Sequence, residues 1–305
     1  MEKSIIQTKK TEDIRFAFRE AKTGVVCRCT GRKNVGRVRI AMAQMPVVFG
    51  KAEENLKTME RFLEKAEGRA DLAVFPECSD LGWGNVDAPS LSHEIPGETS
   101  RAYCEMAKKH RIWMAAGITE KSGDKTYNAA LLVSDEGEIV LHHRKINVLT
   151  GVEDVYEIGS RLEAADTPFG RIALDICADN AENSMVIGEA FGRMGADILL
   201  SPSAWGVPPD RDLEKDIYGE EWHRPYSRLS KKYEMAIVGV SSVGFLENGP
   251  WGGWRVIGNS IAYNGRGEVV KVLSCGENAE DFCVIEIDTV PHSRKGTSLA
   301  EYLSG

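Results

Sequence analysis

Two rhythms of apolar and polar residues alternate along the chain, and their order predicts its architecture. Residues 39–44 (RIAMAQ) form a short apolar run of strand length, and Leu56, Met59, Phe62, Leu63 and Ala66 then recur at helical spacing over residues 55–66. The pattern continues with a strand at 72–75 (LAVF), a helix at 99–109 and a strand at 113–118 (WMAAGI). A hairpin follows, pairing 129–133 with 138–141 around the turn Asp135-Glu136-Gly137. Strands alternating with helices argue for the α/β class.

The same order of segments returns in the second half. Arg39-Ile40-Ala41-Met42 matches Arg171-Ile172-Ala173-Leu174, and Ala70-Asp71-Leu72 with Pro76 matches Ala196-Asp197-Ile198 with Pro202. Ala115-Ala116-Gly117 parallels Ile237-Val238-Gly239, and Asn128 with Gly137-Glu138-Ile139-Val140 parallels Asn259 with Gly267-Glu268-Val269-Val270. Four matches in one order predict an internal duplication, with each half supplying one sheet and outer helices. Because both sheets carry nearly continuous apolar strands, they are expected to pack face to face. The repeat begins near residue 37, so residues 1–36 are read as an N-terminal arm in which Thr11 caps a short helix through Phe18 and Ala21. The body is expected over 37–290 and a tail over 291–305.

Composition narrows the functional classes. Of 305 residues, 42% are hydrophobic and 28% charged, the make-up of a chain that buries a core. With 38 Lys and Arg against 46 Asp and Glu the net charge is −8, and no basic block exceeds a few residues, which argues against nucleic acid as a partner. The longest uncharged stretches, such as 235–246, are too short to span a membrane, and the first residues lack the apolar core of a secretory signal. A cytoplasmic protein is therefore expected. Seven widely spread cysteines, an odd number, read as thiols. Cys27 and Cys29 lack a second Cys/His pair at zinc-site spacing, so no metal site is expected.

Three strand ends then carry candidate chemistry, because folds of this class expose their sites there. LAVFPE ends in Glu77, LHHRK ends in Lys145, and RIALDICAD delivers Cys177. By the repeat, the strands before Glu77 and Cys177 are expected to be neighbours. A cysteine acts as a nucleophile through its thiolate; Glu77 would accept the thiol proton, and Lys145 would lower the thiol pKa or hold an oxyanion. Taken singly, each has a plain structural reading: Cys177 as a small buried apolar residue, Glu77 as a turn carboxylate, Lys145 as part of a basic surface.

In combination, Phe75-Pro76-Glu77, the HRKI of residues 143–146 and the DICAD of 175–179 resemble the carbon-nitrogen hydrolase (nitrilase) superfamily, in order and spacing, over about residues 37–290. The resemblance implies a four-layer αββα sandwich, in agreement with the duplicated α/β reading. It also implies a Glu-Lys-Cys triad on Glu77, Lys145 and Cys177, no cofactor, and a homodimer or higher homo-oligomer. A second glutamate in the loop after the lysine is placed on Glu153; its competitor Glu157 falls where the family often bends at Pro-Gly. The implied activity is hydrolysis of a non-peptide C–N bond in a small amide or N-carbamoyl compound through a thioester on Cys177, with the Ala178 backbone N–H assisting the oxyanion.

Two departures matter. The family usually runs from the cysteine to an aromatic-Pro-Glu, whereas this chain has Asn180-Ala181-Glu182-Asn183-Ser184, which predicts an unusual pocket. Ala178-Asp179 replaces the Trp-Glu of nitrile-hydrolysing members and so resembles the amidase and carbamoylase branches. Trp83, Tyr127, Asn180, Ser203 and Trp205 are candidate pocket residues, and residues 210–228 are expected to form a helix near the mouth. The alternatives are a nitrilase or acyl-transferring member of the same fold, and a non-catalytic scaffold.

Overall fold

The run RVRIAMAQ forms strand β1 (Arg37–Gln44), whose Val38, Ile40 and Met42 enter one apolar core while Ala41 and Ala43 enter another, the two-residue alternation of a strand buried on both faces. The helical spacing that follows becomes α1 (Ala52–Ala66), which buries Met59, Phe62, Leu63 and Ala66 in that second core. In this computed structural model, residues 36–216, 218–289 and 303 are described. The arm helix predicted after Thr11, Cys27, Cys29 and nearly all of the expected tail lie outside the described residues.

The first half continues through β2 (Leu72–Val74), the single turn α2 (Ala88–Leu91), α3 (Glu98–His110), β3 (Trp113–Ser122), β4 (Lys125–Val133) and β5 (Ile139–Arg144). The second half runs β6 (Ala164–Thr167), β7 (Gly170–Leu174), two 3-10 turns (Cys177–Asn180 and Glu182–Ser184), α4 (Val186–Arg193), β8 (Ile198–Ser203), β9 (Gly206–Val207) and α5 (Glu220–Tyr233). It ends with β10 (Ala236–Ser241), β11 (Val243–Phe245), β12 (Arg255–Ile257), β13 (Ile261–Tyr263), β14 (Val269–Val272) and β15 (Asp281–Asp288).

The strands form two six-stranded mixed sheets, ordered β15-β1-β2-β3-β4-β5 and β6-β7-β8-β10-β13-β14, and the two orders superimpose strand for strand. In both, the first pair is antiparallel, the next two are parallel and the last two antiparallel, with a register shift at Leu132/Val133 and again at Ala262/Tyr263. The duplication reaches single hydrogen bonds. Arg39 N donates to Asp71 Oδ2 at 2.9 Å and Asp71 N to Arg39 O, just as Arg171 N donates to Asp197 Oδ2 at 2.7 Å and Asp197 N to Arg171 O.

Ile40, Met42, Leu72 and Val74 of the first sheet pack with Ile172, Leu200 and Val238 of the second to form the inter-sheet core. The outer face of the first sheet carries α1 and α3. Ile187 and Phe191 of α4 and Trp222, Tyr226 and Leu229 of α5 pack on the second. The result is the αββα layering.

Two expectations change. The strands before Glu77 and Cys177 are not neighbours: β2 pairs with β1 and β3, and β7 pairs with β6 and β8 in the other sheet. The helix expected over 210–228 starts only at Glu220, after Gly219, and runs on to Tyr233, where Glu234 caps it in the left-handed region. A third sheet, β11-β12-β9, is a short ribbon beside the loops that follow β2 and β8. No helix among the described residues is long and apolar enough to cross a membrane.

Candidate active site

Glu77 stands three residues beyond β2, and its backbone N–H donates at 3.1 Å to the carbonyl oxygen of Ser203, the last residue of β8. That bond stitches the two sheets together at the ends of equivalent strands. Lys145 follows β5 directly, held by its own N–H on Asn128 O at 2.8 Å. Cys177 opens the 3-10 turn after β7 with φ of 46°, a left-handed backbone that a non-glycine residue adopts only when its surroundings impose it.

These turns converge on a buried cluster. Lys145 Nζ donates to Glu77 Oε1 at 2.8 Å and to Glu153 Oε1 at 2.7 Å, and all three side chains are fully buried. Asn128 Nδ2 donates to the same two oxygens, at 2.6 Å and 3.1 Å. Trp83 Nε1 adds a third donor to Glu153 Oε1 at 2.6 Å, and Leu149 N donates to Glu153 Oε2 at 2.7 Å. Glu153 is thus saturated by donors. Glu77 is not, because its Oε2 is buried and has no partner.

The electrostatics follow from that packing. Burial raises the Glu77 carboxyl to about 7, the charge of Glu153 adding to the effect while Lys145 and Asn128 oppose it. Burial works against the Lys145 ammonium, but Glu153 and Glu77 outweigh it and hold Lys145 well above the ordinary lysine range. Burial also pushes the Cys177 thiol up, as does the Glu77 charge, while Lys145 and a hydrogen bond from the Ala204 backbone pull it down. The Cys177 side chain therefore rests as a thiol, beside a carboxyl poised near neutrality.

The turn that carries Cys177 is clamped by a residue whose role the motif did not reveal. Asp179, fully buried, accepts from Ile176 N at 3.1 Å, Ile146 N at 3.0 Å and Asn147 N at 2.7 Å, and meets His143 Nε2 at 2.8 Å. Asn147 Nδ2 in turn donates to Ala178 O at 2.6 Å. The HRKI segment and the DICAD segment are in this way one hydrogen-bonded unit. Asn128 is the second residue that sequence reasoning passed over, although its repeat with Asn259 had singled it out.

The candidate pocket residues separate. Trp83 is in the site, on Glu153 and with its ring 5.9 Å from Lys145 Nζ. Tyr127 is on the other face of β4: Asn128 shares the inward face with Ala130 and Leu132, so Tyr127 faces outward, under the Arg144 guanidinium at 3.9 Å. Glu157 is exposed and pairs with Lys125 at 3.3 Å, away from the cluster that Glu153 joins. Asn180, Ser203 and Trp205 are all fully buried; Asn180 donates to Ser201 Oγ, Ser203 to Ser201 O, and Trp205 stacks on Trp222 with centroids 5.1 Å apart. A cleft of about 540 Å³ opens beside the turn that follows Cys177, lined by Ala181, Asn183, Tyr218, Trp222 and charged side chains of both signs. The unusual segment after the cysteine thus forms a cleft wall, with Trp205 behind Trp222.

Residues 39–291 match the carbon-nitrogen hydrolase family, and the chain belongs to it. Among curated relatives, it is 26% identical over 179 residues to the omega-amidase NIT2 of Mus musculus, covering 55% of this chain and 64% of that protein. It is also 26% identical to the nitrilase and fragile histidine triad fusion protein of Drosophila melanogaster, covering 82% of this chain and 53% of the relative. The matched region therefore spans less than two thirds of these relatives. Among solved structures, a carbon-nitrogen hydrolase of Helicobacter pylori shares the fold with a TM-score of 0.75 at 20% identity, covering 84% of this chain and 90% of that one. An amidase of Nesterenkonia sp. does so with a TM-score of 0.69 at 17% identity, covering 92% and 98%.

Proposed function

We propose that the chain is an amidohydrolase that cleaves the C–N bond of a small amide or N-carbamoyl compound through a thioester on Cys177. The observation that carries this reading is the division of labour on Glu77: Oε1 holds the Lys145 ammonium, and Oε2, buried and unpartnered, is left to accept a proton. The thiol proton passes to Glu77 as the sulfur attacks the carbonyl carbon. Charge developing on the carbonyl oxygen is met by the Lys145 ammonium and the Ala178 backbone N–H, and losing one such donor costs about 3 kcal/mol of barrier. Glu77 then protonates the leaving amine and activates the water that releases the acid. Glu153 keeps the buried ammonium charged and fixed. The omega-amidase relatives and the amidase of the same fold support an amide over a nitrile.

Parallel panels of amides, N-carbamoyl compounds and nitriles, scored for released ammonia or amine, test the reading. Turnover of amide or carbamoyl compounds is expected. Turnover of nitriles alone, or of nothing while the protein serves only as a scaffold, would contradict it.

A further inference from the structure

Above Lys145 the site is walled by tryptophans that the proposed chemistry does not use. Trp83 packs its ring against the ammonium while its indole N–H holds Glu153. The ring of Trp251 meets Trp83 edge to face, with centroids 5.7 Å apart at 78°, and Trp254 stacks flat on Trp251 at 3.9 Å and 13°. Both come from the loop between β11 and β12, which is closed on itself by Leu246 N to Trp254 O at 2.9 Å and Gly253 N to Leu246 O at 2.7 Å. Gly206 of β9 gives Trp83 its room, since a Cβ there would sit 3.2 Å from the indole ring. Gly206 of β9 and Trp251 of the β11–β12 loop therefore both pack against Trp83.

We propose that Trp251 is a positioning residue of the active site: it fixes Trp83 so that the indole N–H stays on Glu153 and the ring stays over Lys145. An indole free to turn at its Cα–Cβ bond would leave Glu153 one donor short and admit water to the ammonium. Trp251 acts through Trp83 and touches no reacting atom. An edge-to-face contact requires an aromatic ring but not an indole, so phenylalanine preserves the device and alanine removes it.

This inference rests on the proposed acyl-enzyme chemistry, and its test separates the two. Full-length wild type, Trp251→Ala and Trp251→Phe are mixed with an amide that wild type turns over, and the rate and amplitude of acylation at Cys177 are followed by rapid quench and mass spectrometry. Trp251→Ala is expected to acylate to full amplitude at a rate about tenfold lower, with KM within about twofold, as a misplaced catalytic group requires. Trp251→Phe is expected within about threefold of wild type. An unchanged rate in Trp251→Ala, a loss of amplitude that accounts for the whole deficit, or a Phe variant as slow as Ala would overturn the positioning role. A wild type that turns over amides with no adduct on Cys177 would overturn the hydrolase mechanism and the inference with it.

Discussion

His143 Nε2 lies 2.8 Å from Asp179 Oδ2, and this contact joins the strand leading to Lys145 to the turn that presents Cys177. Asp179 also receives three backbone N–H groups, two from the lysine side and one from the cysteine side. Asp179 thus sets the spacing between Cys177 and Lys145.

Replacing Asp179 by Ala takes the acceptor from three backbone N–H groups, that of Ile176 buried and those of Ile146 and Asn147 half-buried. The variant is expected to lose at least about 3 kcal/mol of stability, read from urea unfolding, and more than about tenfold in kcat among molecules that remain folded. Asp179→Asn keeps one acceptor oxygen and should fall between. Wild-type stability in Asp179→Ala would show that the clamp is incidental.

Glu77 must be ionised to accept the thiol proton, and its carboxyl stands at about 7. kcat/KM is therefore expected to rise with pH on an acid limb centred near neutrality and to level off above it. Asn128 Nδ2 favours the ionised form of Glu77, so Asn128→Ala should move that limb to higher pH. A limb near pH 4, or one that does not move in Asn128→Ala, would remove Glu77 from the role of base.

Asp175 is fully buried two residues before Cys177, and no hydrogen bond of ordinary geometry reaches either of its carboxyl oxygens. Burial raises it well above the carboxylate range, the charge of Asp179 adding to this, while the nearby Ser201 and Asn180 side chains oppose it. A carboxyl raised in the folded state binds its proton more tightly there than in the unfolded chain. Its contribution to stability is therefore full below the unfolded value of about 4 and falls by about 1.4 kcal/mol per pH unit above it, until the folded group ionises. Asp175→Asn is neutral and nearly isosteric. It should be more stable than wild type at pH 8, with the difference shrinking toward pH 4, as followed by urea unfolding across that range. A difference independent of pH would show that Asp175 is ionised in the fold.

Much of this was legible in the chain. The repeat of Arg39-Ile40-Ala41-Met42 in Arg171-Ile172-Ala173-Leu174 anticipated two superimposable sheets, because strands buried on both faces leave an apolar signature that survives duplication. The loop glutamate was placed on Glu153, and the Glu153 and Glu157 side chains part company in the structure, one to Lys145 and one to Lys125. Asn128 was harder: an amide at the start of an apolar strand resembles a turn residue until Glu77 and Glu153 arrive from segments 51 residues before it and 25 after it. Tyr127 was legible in principle, since adjacent strand residues face opposite ways and only one of the pair could enter the site. The ribbon whose loop carries Trp251 gave no signal, because its strands are two or three residues long and β9 meets β12 only across a long stretch of chain.

In the proposed mechanism Cys177 becomes acylated by its substrate. Intact-mass and peptide-mapping mass spectrometry of the protein quenched in acid during amide turnover tests this step. A transient adduct on the Cys177 peptide, with the mass of the acyl group, is expected, and it is abolished together with activity in Cys177→Ala. Turnover with no adduct on that peptide, or a Cys177→Ala variant as active as wild type, would contradict it.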